Sequence, residues 1–585
     1  MKSILSAGAL GFLTSFLLLL AAISLVSGDS ITNPELYFPA TEDSMIALSI
    51  LEWVKACLLG GDICGDFPIF YPYSGALYLT EHMFGIALFY TFVTSFGADI
   101  HAAYGITFLI FTLLNFAVTW VFLFKVLELG YVAAFFGAAG FALQPFTMWY
   151  LPHIHLAPFF FFPAILIAIE YFRRGRMPSL ITISILVATQ FWFGMTLGMF
   201  GFMVAAFSFV AVVILDSTLR KKIVSRRLDF LKFAILASAI FAIILLPLHS
   251  LYTAEIESGI IARELSAAVP FSYELSGFLY FILGDSTYKE IFKNGVPINF
   301  TEYRHLGYMV AAGLLVAFTQ KSAKLSPGLA AARYWLGVSF SGMIFFVLLS
   351  LGPYFIHRGE ATDYVLPYAL FYYVLPGFES MRVPVRFVIL VYFMASILGA
   401  ILLSTALEKI NSRRLLGLSS ILLKRKLIYR NLALTFSLAV LLGAWMADRD
   451  QPAWPSIPIA DLRASVPAVY SKMPKVNSGP VLDFPMWPPS KSAKYMYFQI
   501  FDRMPRIGGV SSNFPPEFFG LVNATASCPS KFCFQAVDDT VAAWFVVHLS
   551  SMTTEERELW HDYKKPFGSF IFFEEADDVL VWARI

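Results

Sequence analysis

The sequence predicts an all-α polytopic membrane protein of about eleven transmembrane helices, followed by a small C-terminal α/β domain outside the cytoplasm. Two observations predict this class. Of the 585 residues, 58% are hydrophobic and 14% are charged, whereas soluble domains are about 45–50% apolar and about 25% charged. Long apolar segments also alternate with short basic connections. The net charge of only +2 indicates that the chain has no nucleic-acid surface.

Apolar segments long enough to cross a bilayer recur throughout residues 1–446. The first segment, 4–26, is interpreted either as a signal peptide or as an uncleaved helix, and its length favours the helix. The later predicted spans are 101–124, 131–151, 156–172, 178–195, 196–215, 230–248, 306–320, 334–351, 386–407 and 430–446.

Basic residues test this topology because they collect in four connections, within 173–176, 220–227, 321–333 and 409–430. If the N-terminus is cytoplasmic, all four connections lie inside, as the positive-inside rule requires. The apolar segment 83–97 is too short for a comfortable span and would reverse the agreement if it crossed. We therefore expect this segment to form a helix at the outer interface.

The same topology divides the chain into two domains, a membrane domain 1–446 and an extracytoplasmic domain 447–585. The membrane domain carries three outer loops, which are 28–100, 249–305 and 352–385. In the C-terminal domain, alternating apolar residues predict strands near 481–485, 543–548, 570–573 and 579–583, with a helix over 553–563. The expected location is a bacterial inner membrane, with the C-terminal domain in the periplasm or exterior.

The four cysteines form two local pairs, Cys57 with Cys64 and Cys528 with Cys533. Neither spacing is typical of a zinc site, and no histidine lies close to either pair. Both pairs fall in outer regions, where an oxidising compartment would favour disulfides over free thiols. We therefore predict two local disulfides.

Ionisable residues at the membrane edge are the candidates for chemistry. Glu42 and Asp43 follow the first span and start a predicted helix over 44–59. One interpretation is helix capping, either by Asp43 itself or by Thr41 with both acids in the first turn. The other is a general base at the boundary between water and lipid. Glu81 and His82 precede the predicted interfacial helix. They are interpreted either as the start of that helix or as an acid/base or metal-ligand pair.

Further candidates lie in later outer segments. His153 and His155 occupy an outward turn between two prolines, where they are candidates for binding a phosphate or a metal. Arg263 with Glu264, and Arg382 with Arg386, place cations on the face that usually lacks them. A guanidinium suits a phosphate because its planar fork donates two parallel hydrogen bonds. The alternative for Arg386 is snorkelling to lipid headgroups.

This layout resembles the GT-C class of integral membrane glycosyltransferases, which use lipid-linked sugar donors. It is most similar to bacterial members whose substrate is unassigned. The resemblance covers the layout of most of residues 1–446. The segments that carry it are Glu42-Asp43, Phe70-Tyr71-Pro72, Thr80-Glu81-His82, Pro152-His153-Ile154-His155-Leu156, Arg263-Glu264, Leu375-Pro376-Gly377-Phe378 and Arg382-Val383-Pro384-Val385-Arg386-Phe387.

The resemblance implies a hexosyl or pentosyl transfer from a polyprenyl-phosphate donor to an acceptor hydroxyl, with inversion. It places the family's catalytic acid on Asp43, with Glu42 as the alternative, and the polyprenyl-phosphate site on Arg263, Arg382 and Arg386. The acceptor is a glycan, a lipid or a protein. The outer loops contain no Asp-x-Asp motif, so a divalent cation, Mg or Mn, stays open. The absence of Trp-Trp-Asp argues against transfer to protein asparagine.

Two other functions remain open from the sequence. The first is a polytopic transporter or lipid flippase, although no inverted repeat and no matching pair of broken spans supports it. The second is a non-enzymatic membrane assembly protein, which requires the charged outer residues to be structural only.

Overall fold

The computed structural model describes residues 29–39, 41–61, 64–144, 151–274, 330–357, 360–414, 456–473, 479–561 and 563–585, with residues 17, 20 and 23 of the first apolar segment. The predicted spans 306–320 and 430–446, the second half of the loop 249–305 and most of segment 4–26 lie outside these residues.

The described part of the membrane domain is built from helices. In chain order they are α1 (Asp29–Thr32), α2 (Glu42–Leu58), α3 (Phe84–Ser95), α4 (Ile100–Val121), α5 (Tyr131–Ala142), α6 (Phe161–Arg173), α7 (Ser179–Phe191), α8 (Met195–Leu215), α9 (Ser217–Ser225), α10 (Arg227–Glu257), α11 (Ala330–Ser350), α12 (Pro367–Val374) and α13 (Val388–Arg414). Its strands are β1 (Tyr37–Pro39), β2 (Tyr354–His357) and β3 (Glu360–Val365).

Six helical segments within the described ranges are long and apolar enough to cross a membrane. They are Ile100–Val126, Ile154–Arg173, Met195–Leu215, Arg227–Glu257, Ala332–Ser350 and Pro384–Thr405. The apolar helices α5 and α7 are shorter than the spans predicted for 131–151 and 178–195. The polytopic all-α class is thus confirmed, whereas the count of eleven helices stays a prediction.

Helix α3 occupies the segment predicted to lie at the outer interface. It has 12 residues, about half the length that a perpendicular span needs. Leu88, Phe92 and Phe96 are exposed at the intervals that place them on one helical face. The opposite face packs on α2 and α4, so α3 has one exposed apolar face, and its position at the outer interface stays a prediction.

The C-terminal domain is a four-stranded sheet covered by short helices, as the alternating pattern predicts. The strands are β4 (Ser456–Pro458), which stands apart, and β5 (Val481–Phe484), β6 (Trp544–His548), β7 (Phe570–Ala576) and β8 (Val579–Arg584), in the order β5-β6-β8-β7. Only β5 and β6 are parallel. The helices are α14 (Ile459–Ala464), α15 (Val469–Lys472), α16 (Pro489–Asp502), α17 (Phe518–Thr525), α18 (Lys531–Asp538) and α19 (Thr554–His561).

The C-terminal domain docks on the first outer loop. Strand β4 pairs with β1 in an antiparallel two-stranded sheet. Helix α16 packs along α2, where the Ser49 hydroxyl donates to the Met496 carbonyl at 2.9 Å. The Arg506 amide donates to the Pro68 carbonyl at 2.9 Å, and the Tyr71 amide donates to the Arg506 carbonyl at 2.9 Å. The domain therefore forms one packed unit with the loop that begins the membrane domain.

Both cysteine pairs are joined in the structure. Cys57 bonds to Cys64, and Cys528 bonds to Cys533, with Cα–Cα distances of 5.3 and 5.2 Å. The first disulfide ties the C-terminal end of α2 to the loop that follows it. The second closes the turn between α17 and α18.

A buried ionic cluster lies beneath the docking contact. The Arg506 side chain is 2% exposed and pairs with Asp483 at 2.8 Å and with Asp502. His548 Nε2 lies 3.0 Å from Asp483, and the Tyr470 hydroxyl donates to the same carboxylate. Burial of these charges is costly unless each is paired, and the single positive charge of Arg506 is shared by two carboxylates that are almost completely buried.

We expect the Arg506→Met substitution to destabilise the protein by about 3–5 kcal/mol, because it leaves Asp483 and Asp502 buried without their cation. Thermal unfolding of the detergent-solubilised protein measures the change. The exposed Arg503→Met variant is the matched control and should unfold near the wild-type temperature. Equal melting temperatures for the two variants would contradict the role assigned to the cluster.

Candidate functional site

A cavity of about 730 Å³ lies where the outer ends of the helices meet the C-terminal domain. Its polar wall comes from the start of α2, the turn that holds His153 and His155, the loop 375–386 and the segment 510–513 of the C-terminal domain. The ionisable side chains that line it are Asp43, Glu81, His153, His155, His249, Tyr78, Tyr252, Arg263, Glu379, Arg382 and Arg386. The cavity therefore gathers residues from across almost the whole sequence.

Asp43 lies in the first turn of α2, which sets its position. Thr41 is the N-cap, and its hydroxyl accepts from the Ser44 amide at 3.2 Å in a reciprocal capping box. Asp43 is therefore not the cap, and its carboxylate is available to the cavity. It is 55% exposed, and Oδ2 lies 3.5 Å from His153 Nε2.

The charges around Asp43 act against one another. Burial raises the pKa of the Asp43 carboxyl, while the positive charges of Arg386 and Arg382 lower it. Burial and the nearby Arg386 lower the pKa of His153 to about 3. His153 is thus a neutral imidazole at physiological pH.

Three arginines, Arg263, Arg382 and Arg386, line the same cavity as this carboxylate. Arg263 donates to the side-chain oxygen of Asn513 at 2.8 Å and to the Ser512 carbonyl. The Arg382 guanidinium lies 5.5 Å from the centre of the Phe271 ring. Burial and the charge of Arg382 lower the pKa of Arg263 to about 10. Because these cations repel one another in a partly desolvated space, the cavity is an electrostatically favourable place for an anion.

Three predicted residues lie apart from this cavity in the structure. The Glu42 carboxylate is hydrogen-bonded to Ser490, and burial together with Asp43 raises its pKa. His82 is fully buried, and its Nδ1 lies 2.8 Å from the Tyr252 hydroxyl. Glu264 is exposed and accepts from the Ser266 hydroxyl at 3.2 Å. The side chains of neighbouring residues point in different directions on a helix or in a loop. For this reason one member of each adjacent pair lines the cavity and the other member does not.

Glu81 borders the cavity and also caps α8. Its carboxylate accepts from the Met195 amide at 2.7 Å, the Thr196 amide at 3.2 Å and the Thr196 hydroxyl at 2.6 Å. The first amides of a helix have no partner within the helix, and a carboxylate there also meets the positive end of the helix dipole. Glu81 thereby ties the first outer loop to α8.

Sequence reasoning did not select several residues that line the cavity. Glu379 lies three residues before Arg382 in the chain, and this closeness to a predicted arginine is the signal that could have identified it. Tyr78 and Tyr252 carry no such signal. Ser511, Ser512 and Asn513 lie more than 460 residues after Asp43 in the chain, and only the docking of the C-terminal domain brings them to the site.

The remaining wall of the cavity is apolar. Met195, Met199 and Phe202 come from α8, and Phe241, Leu245 and Leu248 come from α10. The apolar helix α10 is largely exposed within the described part of the protein, where its buried residues are Ala237, Leu248, Tyr252 and Glu255. Ile256, which also lines the cavity, is 45% exposed. The apolar wall therefore continues from the charged centre to exposed apolar side chains of α10.

Within the described ranges, no group of three or more His, Cys, Asp or Glu side chains is arranged to hold a metal ion. The divalent cation left open by the sequence stays a prediction.

No protein-family model and no curated protein sequence matches this chain. Solved structures do. The mycobacterial arabinofuranosyltransferase AftD matches 98% of the chain with a TM-score of 0.51 and 13% identity, and the chain spans 41% of the length of AftD. ArnT from Cupriavidus metallidurans, solved with undecaprenyl phosphate, matches 99% of the chain over 98% of its own length. Its TM-score is 0.49 and its sequence identity is 12%. The Archaeoglobus fulgidus oligosaccharyltransferase matches 98% of the chain over 74% of its own length, with a TM-score of 0.47 and 10% identity.

These structural neighbours belong to the GT-C class. The likeness to AftD shows that the chain has the GT-C fold, as the resemblance in its sequence implies.

We expect the Glu81→Ala substitution to destabilise the protein by about 1–2 kcal/mol, because it removes the acceptor for the first amides of α8. The melting temperature in detergent measures this loss. Glu264→Ala removes a carboxylate with a single hydrogen bond and serves as the control. If Glu81→Ala melts with the control, the cap contributes no stability.

Proposed function

We propose that this protein is a membrane glycosyltransferase that transfers a sugar from a polyprenyl-phosphate donor to an acceptor hydroxyl on the outer face of the membrane. One observation carries the proposal. A single cavity joins a carboxylate, Asp43, to the three arginines Arg263, Arg382 and Arg386, beside an apolar wall formed by α8 and α10. The fold shared with an arabinofuranosyltransferase supports the same class of activity.

The two halves of the cavity match the two halves of such a donor. A polyprenyl chain is apolar and fits the wall formed by α8 and α10. Its phosphate fits the arginines, whose guanidinium groups donate parallel hydrogen bonds to phosphate oxygens. The sugar between them would then lie near Asp43. The repulsion among the arginines is relieved when a phosphate binds, which favours an anionic donor over a neutral one.

The transfer follows from these positions. Asp43 accepts the proton of the acceptor hydroxyl while that oxygen attacks the anomeric carbon of the donor sugar. The new glycosidic C–O bond forms as the C–O bond to phosphate breaks, and the electron pair of that bond leaves with the polyprenyl phosphate. The arginines stabilise the charge that develops on the phosphate. Attack opposite to the leaving group inverts the configuration.

A single carboxylate is sufficient for this reaction. Hydrolysis of a glycoside usually needs a second carboxyl group to protonate the leaving oxygen. A phosphate leaves as a stable anion, so arginines replace that acid. Neutral His153, at 3.5 Å from Asp43, orients the carboxylate without cancelling its charge.

We expect Asp43→Asn to lower kcat by roughly 10²–10⁴, because the amide cannot accept the proton of the acceptor. The assay follows labelled sugar from a polyprenyl-phosphate sugar pool into product, in membranes with equal expression. Glu42→Gln is the matched control, since Glu42 faces Ser490 rather than the cavity, and it should retain most activity.

If Glu42→Gln fails and Asp43→Asn transfers normally, the base is assigned to the wrong carboxylate. If the wild-type protein transfers from none of the labelled donors but moves them across vesicle membranes, the flippase alternative replaces the proposal.

The pH profile gives a second test. Asp43 must be ionised to act as a base, so the rate falls as the pH drops through its pKa. Because Arg386 lowers that pKa, Arg386→Gln should raise it and move the acidic limb of kcat/KM to higher pH. The position of the limb is the measure, since lost phosphate binding changes only its height. Arg503→Gln should leave the limb in place, and an unmoved limb in Arg386→Gln would contradict the coupling.

A further inference from the structure

Four aromatic rings of the C-terminal domain form a continuous cluster beside the cavity. We call Trp487, Phe514, Phe518 and Phe519 the aromatic platform. The ring centres of Trp487 and Phe519 are 5.8 Å apart, those of Phe514 and Phe519 are 5.0 Å apart, and those of Phe518 and Phe519 are 5.3 Å apart. Phe70 of the first outer loop supports the cluster from below, with its ring 5.1 Å from Phe518. The platform is thus held by both domains.

The outer rings of the platform are open to solvent. Trp487 is 44% exposed and Phe519 is 45% exposed, while Phe518 beneath them is buried. Two large adjoining rings on the surface of an extracytoplasmic domain expose apolar area that folding could have covered. Such patches commonly mark interaction sites. The rings are fixed by their contacts with buried neighbours, so a ligand would meet a preformed surface.

The platform adjoins the cavity through Phe514. This residue directly follows Asn513, which lines the cavity and accepts a hydrogen bond from Arg263. Trp487 lies three residues before Ser490 in the chain, and Ser490 is hydrogen-bonded to Glu42, the residue next to Asp43. A chain lying on the platform would therefore begin beside the cavity that holds the proposed base.

The surroundings of the rings are polar. Ser512, Glu517 and Asn523 are exposed near the platform, and Asn523 lies one helical turn after Phe519 on α17. A surface that inserts into lipid would be continuously apolar. A sugar ring instead has an apolar C–H face and a rim of hydroxyl groups, which match aromatic rings and hydrogen-bonding side chains respectively.

We propose that the aromatic platform binds the acceptor, and that the acceptor is a carbohydrate chain. One sugar stacks on Trp487 or Phe519, and the hydroxyl at the end of the chain reaches Asp43. This inference rests on the proposed transferase function for its meaning, but the binding site itself is independent of the reaction.

Binding is tested with the full-length protein in detergent and three probes, maltohexaose, cellohexaose and isomaltohexaose. Saturation-transfer NMR detects contact and isothermal titration gives Kd. We expect at least one probe to bind the wild type, and Trp487→Ala or Phe519→Ala to weaken that binding roughly fivefold to tenfold. Trp487→Phe keeps a ring and should restore most of the affinity, which separates stacking from a folding defect.

Phe532→Ala is the matched control, because Phe532 is 67% exposed on the same domain but is not part of the platform. It should bind as the wild type does. Failure of all three probes to bind the wild type, or equal affinity in the wild type and Trp487→Ala, would overturn the proposal. Quenching by headgroup-proximal doxyl lipids that disappears in Trp487→Phe would also overturn it, in favour of a membrane contact.

The two proposals fail in distinguishable ways. Asp43→Asn should bind the probes normally while losing transfer. If no variant or wild-type protein transfers sugar but Trp487 still governs probe binding, the transferase proposal fails and the carbohydrate site stands. If sugar transfer proceeds and probe binding does not depend on Trp487, the transferase proposal stands and the carbohydrate site is refuted.

Discussion

The docking of the C-terminal domain on the first outer loop is the interaction on which the candidate site depends. The β1–β4 pairing, the contact of α2 with α16 and the backbone hydrogen bonds of Arg506 hold the two parts together. This contact places segment 510–513 against Arg263 and completes the polar wall of the cavity. The buried pairing of Arg506 with Asp483 and Asp502 fixes the Arg506 segment within the C-terminal domain, and the backbone of that segment bonds to Pro68 and Tyr71 of the first outer loop.

A second constraint is the cost of placing charge beside lipid. Asp43 and the arginines are tolerated at the membrane edge because they face one another across a cavity rather than the acyl chains. The cavity holds three arginines and the three carboxylates Asp43, Glu81 and Glu379, and Glu81 is already bonded to the first amides of α8. The arginines repel one another, and an anionic ligand between them relieves that repulsion. The same repulsion would therefore favour a phosphate-bearing donor and its departing phosphate.

The elements that the sequence predicted are those whose apolar pattern lies within a few neighbouring residues. The strands β5, β6, β7 and β8 follow alternating apolar patterns, and each was located within a few residues. The apolar segment 83–97 forms a helix of 12 residues, as expected, and its place at the outer interface stays a prediction. Apolar patterns could not locate helix ends that depend on distant partners. The first amides of α8, for example, are capped by Glu81 of the first outer loop.

The sequence by itself determined that the chain crosses a membrane, that it ends in a small α/β domain and that its outer loops hold unusual charges. Composition and periodicity decide these features because they depend on transfer free energy and on residues close in the chain. Only the tertiary structure decided which member of each adjacent pair lines the cavity, namely Asp43 of the pair Glu42–Asp43 and Glu81 of the pair Glu81–His82. It alone joined Asp43 to Arg386 and to Asn513, because helix orientation and contacts between distant segments depend on packing of the whole fold rather than on local sequence.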